Sequence, residues 1–89
     1  MRLDKFFKVS RIIKRRPIAK TVLDNNKVKL NGKIVKAGTS VSIGDIIELE
    51  YFNKYTKIEI LEVPDGNTKK DEAKELFKIL DVKILELEN

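Results

Sequence analysis

A regular series of positive side chains opens the sequence, with a lysine or arginine at every third position and a cluster directly after it. This basic series comprises Arg2, Lys5, Lys8, Arg11, Lys14, Arg15, Arg16 and Lys20. Arginine can bind a phosphate through two parallel hydrogen bonds or stack on an exposed base, whereas lysine acts as a compact point charge. The basic series therefore indicates a surface that binds the phosphates of a polyanion.

Charge is distributed unevenly along the 89 residues of the chain. Residues 1–36 hold twelve Lys and Arg against two Asp, a net charge of +10, whereas residues 37–89 hold seven against twelve acids, a net charge of −5. A basic half on a small domain is the electrostatic signature of a polyanion-binding protein. The alternative is a solvated, lysine-rich surface without a ligand, but the regular spacing within the basic half favours binding.

The residue types that the sequence lacks exclude several kinds of chemistry. With no cysteine and no histidine, the chain cannot form disulfides, Cys/His zinc sites or nucleophiles activated by histidine. Asp4 stands alone among cations, so we expect it to hold neighbouring arginines through ion pairs and not to act as a catalytic acid. No apolar run approaches the roughly 20 residues that a membrane-spanning helix needs. The sequence predicts a cytoplasmic protein that is not an enzyme, without cofactor, metal or membrane contact.

Two short helices are predicted to carry the basic series. Leu3, Phe6 and Phe7 follow the helical period, which favours packing of both phenylalanines in the core over stacking on bases. Pro17 suits the first turn of a second helix, which we expect to end at residues 25–26. A step of three residues advances about 300° around a helix. The first cations thus form an oblique ridge, and the later ones lie near the positive end of the second helix.

Antiparallel strands are predicted in the middle of the chain. Residues 27–35 surround Asn31 and Gly32, a pair that favours a tight hairpin because both turn positions need positive φ. Residues 46–52 and 56–63 predict a second strand pair, joined by a tight connection. At least one aromatic side chain near that connection is expected to be exposed, among Tyr51, Phe52 and Tyr55.

An amphipathic helix is predicted near the C-terminal end. Thr68 can cap it, and apolar residues then follow the helical period. Those apolar residues are Ala73, Leu76, Phe77 and Leu80. Residues 82–89 alternate and fit a strand, a frayed helix or a tail. The predicted class is α+β: two N-terminal helices packed on a small antiparallel sheet in residues 1–63, with the helix and tail of residues 64–89 on or beside the same domain.

The N-terminal half resembles the alpha-L RNA-binding motif, a module of two helices and a hairpin first associated with a small-subunit ribosomal protein. The matching elements are Arg2-Leu3-Asp4-Lys5, Arg11, Lys14-Arg15-Arg16, Ala19, Val28, Asn31-Gly32 and Gly44-Asp45. They span residues 1–48, a little over half of the chain. The resemblance implies that the basic series binds RNA.

The segments VSRIIKRR and TKKDEAKELFKIL are similar to those of the RqcP family of stand-alone ribosome quality-control factors. This resemblance implies binding to a large ribosomal subunit that holds peptidyl-tRNA after stalling, with contacts to ribosomal RNA and to the tRNA. It also implies an RqcH-type partner that adds alanine residues to the nascent chain. The protein is then expected to be a monomer when free and a non-catalytic clamp on the ribosome.

Other functions remain open at this point. Heat-shock ribosome-recycling proteins, which have a longer basic C-terminal extension, and rRNA-maturation factors are alternatives that would bind subunits whether or not tRNA is present. A DNA-binding regulator is disfavoured, because neither predicted N-terminal helix has the pattern of polar side chains that reads base edges.

Overall fold

The computed structural model describes residues 1–64 and 75–85. These residues contain two helices and five strands. The helices are α1 (Leu3–Val9) and α2 (Arg16–Asp24). The strands are β1 (Val28–Leu30), β2 (Lys33–Ile34), β3 (Ile46–Tyr51), β4 (Lys54–Ile60) and β5 (Phe77–Ile84). Neighbouring strands are all antiparallel and form one sheet in the order β2-β1-β3-β4-β5. The predicted α+β class, with two N-terminal helices on an antiparallel sheet, is confirmed.

Both helices follow the spacing of their apolar residues. Leu3, Phe6 and Phe7 of α1 are fully buried, so the two phenylalanines belong to the core as predicted. α2 has a proline in its first turn, where the missing N–H removes no helical bond, and it buries Ala19 and Leu23 against the sheet. Neither helix is long and apolar enough to cross a membrane.

Residues at positive φ mark several turns, among them three that the sequence predicted. Asn26, with φ of 60°, follows α2 as predicted. Asn31 and Gly32, with φ of 51° and 87°, close the predicted β1–β2 hairpin. The β3–β4 hairpin turns at Phe52 and Asn53, with φ of 53° and 56°, one residue earlier than the sequence predicted. This second turn thus has a bulky aromatic residue where asparagine or glycine is favoured.

The helices cover one face of the sheet and leave the other to solvent. The register places Ile47 opposite both Leu30 and Ile58, which aligns apolar side chains of three strands on the covered face. These residues pack with α1 and α2 in a single core. On the other face, Glu48 lies opposite Lys57, an oppositely charged cross-strand pair of the kind that contributes roughly 0.2–1 kcal/mol.

Residues 77–84, assigned by the sequence to a C-terminal helix and the start of a tail, form strand β5 instead. β5 pairs with β4 along its whole length. The helix prediction was therefore wrong for residues 76–80, whereas Thr68 and Ala73 lie outside the described residues. For residues 82–84 the strand alternative is confirmed.

A β-bulge explains why this strand resembles a helix in sequence. Lys57 pairs with Asp81, and the next residue of β4, Ile58, pairs with Ile79, so Leu80 is an extra residue on β5. A bulge interrupts the strict alternation of a strand, and apolar side chains on its two sides fall at mixed spacings. Those spacings include the three- and four-residue intervals that indicate a helix.

Candidate nucleic-acid interface

Asp4 forms ion pairs with two arginines of the basic series, and its side chain is fully buried. Its Oδ2 accepts a hydrogen bond of 3.0 Å from Arg16 Nε, and its Oδ1 accepts one of 3.2 Å from Arg2 Nε. The backbone N–H of Lys5 donates a further bond of 2.9 Å to Oδ1. The predicted role of Asp4, an ion-pair partner that holds neighbouring arginines, is confirmed.

The surroundings of Asp4 keep its carboxyl group ionised. Burial by itself raises the pKa of Asp4, but the hydrogen bonds from Arg16 and Lys5 and the charges of Arg16 and Arg2 outweigh it and bring the pKa below 3.8. The carboxylate is therefore negative at neutral pH. It fixes two guanidinium groups from different parts of the fold, one just before α1 and one in the first turn of α2.

Both arginines retain a large exposed surface. The exposed fraction of the side chain is 51% for Arg2 and 41% for Arg16. Within residues 1–64 and 75–85, each guanidinium hydrogen-bonds to protein through Nε alone. Their Nη groups can still donate to phosphate oxygens, and the ion pairs with Asp4 restrict the side-chain rotation that phosphate binding would otherwise freeze.

Backbone hydrogen bonds hold the N-terminus against the loop between β2 and β3. Leu3 N donates to Thr39 O at 2.8 Å, and Val41 N donates to Met1 O at 3.0 Å. Between them, Arg2 forms an isolated antiparallel bridge with Ser40. Arg2 is therefore part of the folded domain and does not belong to a loose basic tail.

The connection between the helices changes the shape of the predicted ridge. α1 ends at Val9, and Arg11 takes a left-handed conformation with φ of 64°. The buried Ile13 donates through its backbone N–H to Phe7 O at 3.1 Å, which anchors the turn. The helical ridge thus comprises the cations up to Lys8, and those that follow lie on a compact connection.

The structure divides the basic series into groups. Arg2 and Arg16 meet at Asp4, whereas Arg11, Lys14 and Arg15 lie together along a groove. The other three cations, exposed on the helices, are Lys5, Lys8 and Lys20. Within the described residues, no side-chain ion pair or hydrogen bond joins these three lysines to either group.

Arg15 occupies the N-cap of α2, which begins at Arg16, one residue earlier than predicted. No side-chain hydrogen bond caps this end of the helix. The positive end of the helix dipole and the adjacent cations therefore favour an anion at the same place.

Some cations of the basic half have structural partners instead. Lys36 Nζ lies 2.7 Å from Asn26 Oδ1 and 3.4 Å from the carbonyl oxygen of Asp24, so it secures the end of α2. Lys27 forms an ion pair of 3.7 Å with Glu50. Within the described residues, no group of three acidic side chains could hold a metal ion.

The groove itself was not predicted. It has a volume of about 510 Å³ and lies between the α1–α2 connection and the sheet. Phe52 lines it and is 84% exposed. The sequence indicated an exposed aromatic in this hairpin, but it gave no sign that the hairpin lies beside the connection between the helices.

Comparison with known proteins places the chain in a family. Residues 1–47, more than half of the chain, match the S4 domain. The RQC P-site tRNA stabilizing factor of Streptococcus pneumoniae is 44% identical over 80 residues, which cover 90% of each chain. The factor of the same name from Bacillus subtilis is 44% identical over 80 residues, 90% of this chain and 92% of that protein. The chain belongs to the family of RQC P-site tRNA stabilizing factors.

A solved structure shares its architecture with this member of the family of RQC P-site tRNA stabilizing factors. The trimeric heat shock protein 15 of Vibrio cholerae superimposes with a TM-score of 0.77 at 32% identity, covering 89% of this chain and 80% of that one. Both relatives predicted from the sequence, the quality-control group and the heat-shock group, are thus similar to this chain. Its own oligomeric state stays a prediction.

Proposed function

We propose that this protein binds large ribosomal subunits that still carry peptidyl-tRNA after stalling, and that it stabilises the tRNA there without catalysing a reaction. The observation that carries the proposal is the pair of arginines, Arg2 and Arg16, fixed by Asp4 within an S4 domain. The 44% identity to factors named for P-site tRNA stabilization supports the same role. The protein would act in the cytoplasm, on the ribosome.

The arginines and lysines of the basic series would contribute to RNA binding in different ways. Arg2 and Arg16 donate to phosphate oxygens from fixed positions, while Lys5, Lys8 and Lys20 add mobile positive charge around them. Each phosphate that is neutralised releases condensed counterions, which provides a large share of the affinity. Because cations lie both at Asp4 and along the groove, the protein can contact two RNA segments at once, as a clamp between ribosomal RNA and tRNA requires.

Mapping of crosslinked nucleotides tests this proposal. Ultraviolet irradiation of cells should crosslink the protein to ribosomal RNA of the large subunit and to tRNA. Substitution of both Arg2 and Arg16 by lysine keeps the charge but removes the planar donor groups, so crosslinking should fall while the protein remains folded. Crosslinks confined to small-subunit RNA or messenger RNA would contradict the proposal.

The proposal extends to a partner on the same subunit. An RqcH-type factor would add alanine residues to the C-terminus of the nascent chain while this protein holds the tRNA. In a strain that lacks the protein, a stalled reporter should carry fewer and shorter alanine tails, and the wild-type gene should restore them. Tails of normal length in the absence of the protein would remove this part of the proposal.

Ribosome recycling after heat shock is a second candidate function, favoured by the TM-score of 0.77 to heat shock protein 15. The two candidates differ in what they require of the subunit. A recycling factor would bind with or without bound tRNA, whereas a tRNA stabilizing factor should prefer the subunit that carries it.

A further inference from the structure

We propose that the groove beside the β3–β4 turn receives one unpaired base of the bound RNA, stacked on the ring of Phe52. This inference rests on the proposed RNA-binding function and adds a contact outside the helices. It assigns a role to an aromatic residue whose side chain is largely exposed.

Phe52 is unfavourable for the fold in two respects. Its φ of 53° lies in the left-handed region, which a bulky side chain rarely adopts. Its side chain is 84% exposed, so little burial compensates for the strained backbone. Its ring lies 4.4 Å from the ring of Tyr51, centroid to centroid, at an interplanar angle of 39°. Strained residues of this kind are concentrated at ligand-binding positions.

The groove offers an apolar surface of suitable size. Its volume of about 510 Å³ lies within the range of roughly 300–1,000 Å³ that is typical of small-molecule pockets. Ile18 of α2 and Ile79 of β5 both line it, and both are accessible, with exposed fractions of 39% and 59%. The face of a nucleobase is apolar and flat, and proteins commonly bind it between aromatic and aliphatic side chains.

The charges around the groove select an anionic ligand. Arg11, Lys14 and Arg15 line it on the side of the helix connection, and Lys54 lines it on the side of β4. None of the described residues that line the groove is acidic. A nucleotide satisfies both features at once, with its phosphate at the cations and its base on the apolar surface. Arg11, Lys14 and Arg15 also belong to the basic series, so the groove adjoins the proposed RNA surface.

Three RNA hairpins test the inference: one fully paired, one with a single bulged nucleotide, and one with the same bulge lacking its base. We expect the wild-type protein to bind the bulged hairpin more tightly than the abasic one, by about 5- to 100-fold for the loss of one base–aromatic stack. Phe52→Asn should abolish this preference but bind the fully paired hairpin as the wild type does. Because asparagine tolerates positive φ, this variant should melt at the same or a higher temperature.

Two further variants serve as controls. Ile43→Asn removes another exposed apolar side chain, with an exposed fraction of 65%, away from the groove, and it should keep the preference for the bulged base. Phe52→Trp should also keep it, and because the chain has no other tryptophan, its fluorescence should be quenched by the bulged but not by the abasic hairpin.

The outcomes separate this inference from the proposed function. If wild type and Phe52→Asn bind all three hairpins equally, the inference is overturned and RNA binding stands, which leaves the groove to a protein or a second copy of the chain. If the wild-type protein binds none of the hairpins, both proposals are overturned.

Discussion

Arg16 Nε donates a hydrogen bond of 3.0 Å to Asp4 Oδ2, so a buried carboxylate of α1 fixes a guanidinium of α2. Arg2 occupies the other oxygen at 3.2 Å. The same acid therefore joins the two helices and orients two arginines on the proposed RNA surface. Substitutions at this site should change both the stability of the domain and its affinity for RNA.

Replacement of the buried acid tests its contribution to stability. Asp4→Asn should lower the free energy of unfolding at pH 7 by about 1–3 kcal/mol, because a neutral amide loses charge-assisted hydrogen bonds. Because folding lowers the pKa of Asp4 from its ordinary value of 3.8, the stabilisation is present above the unfolded-state pKa and is lost as the pH falls through the folded-state pKa. Urea unfolding of both proteins should show a difference that shrinks at pH values below 3.8. A difference that stays constant down to pH 2 would contradict this role.

Arg16 should contribute more to RNA binding than a lysine of the exposed sheet face. We expect Arg16→Ala to weaken binding to large subunits by about 10- to 100-fold, the range for hydrogen bonds between charged groups. Lys57→Ala should have little effect, because Lys57 lies on β4 opposite Glu48 and Asp81. Circular dichroism must show that both variants are folded at the assay temperature, since Arg16→Ala also removes a partner of Asp4. Similar losses from the two substitutions would show that the RNA surface is assigned to the wrong face.

The dependence of affinity on salt counts the phosphate contacts. Roughly six contacts give a slope of log K against log salt of about −4 to −5. Lys8→Ala should reduce the magnitude of this slope by about one. It should leave the melting temperature unchanged, because the side chain of Lys8 is exposed and forms no ion pair within the described residues. Fluorescence anisotropy with a structured RNA measures both quantities. A slope near zero for the wild type would exclude binding through phosphates.

The pairing of β5 with β4 can be tested by a disulfide. Glu59 and Lys78 lie directly opposite each other, and opposite residues in antiparallel strands are about 4.5–5.5 Å apart at Cα, within the range that a disulfide spans. Since the chain has no cysteine, the double variant Glu59→Cys/Lys78→Cys can form one disulfide, and oxidation should produce it.

Glu48→Cys/Lys78→Cys provides the matched control for that disulfide. In it, β4 separates the two positions, and two strand spacings alone place them at least about 9.5 Å apart. It should therefore stay reduced within the monomer. Equal crosslinking of the two pairs would argue against the observed register.

Local patterns in the sequence were sufficient to predict the secondary structure of the N-terminal half. The spacing of Leu3, Phe6 and Phe7 predicts α1, and the two turn residues Asn31 and Gly32 predict the first hairpin; the structure has both. The isolated position of Asp4 among cations was enough to predict its ion pairs, because a lone acid in that setting has few other partners.

Features that depend on distant parts of the chain were missed. β5 was predicted as a helix because the extra residue Leu80 shifts the alternation that would have indicated a strand. The groove forms only when the β3–β4 turn lies beside the connection between the helices, so Phe52 and Arg11, far apart in the sequence, both line it. Local periodicity does not predict contacts between distant segments, so the position of Phe52 in the groove is seen only in the fold.

Co-sedimentation with three kinds of particle tests the central proposal most directly. Purified protein is mixed with large subunits that carry peptidyl-tRNA, with empty large subunits, and with intact ribosomes, each at the same concentration and salt. We predict that the protein pellets preferentially with the tRNA-carrying subunits and that the preference is lost in the Arg2→Ala/Arg16→Ala variant. Equal binding of the wild-type protein to all three particles would contradict a role in stabilising tRNA on stalled subunits.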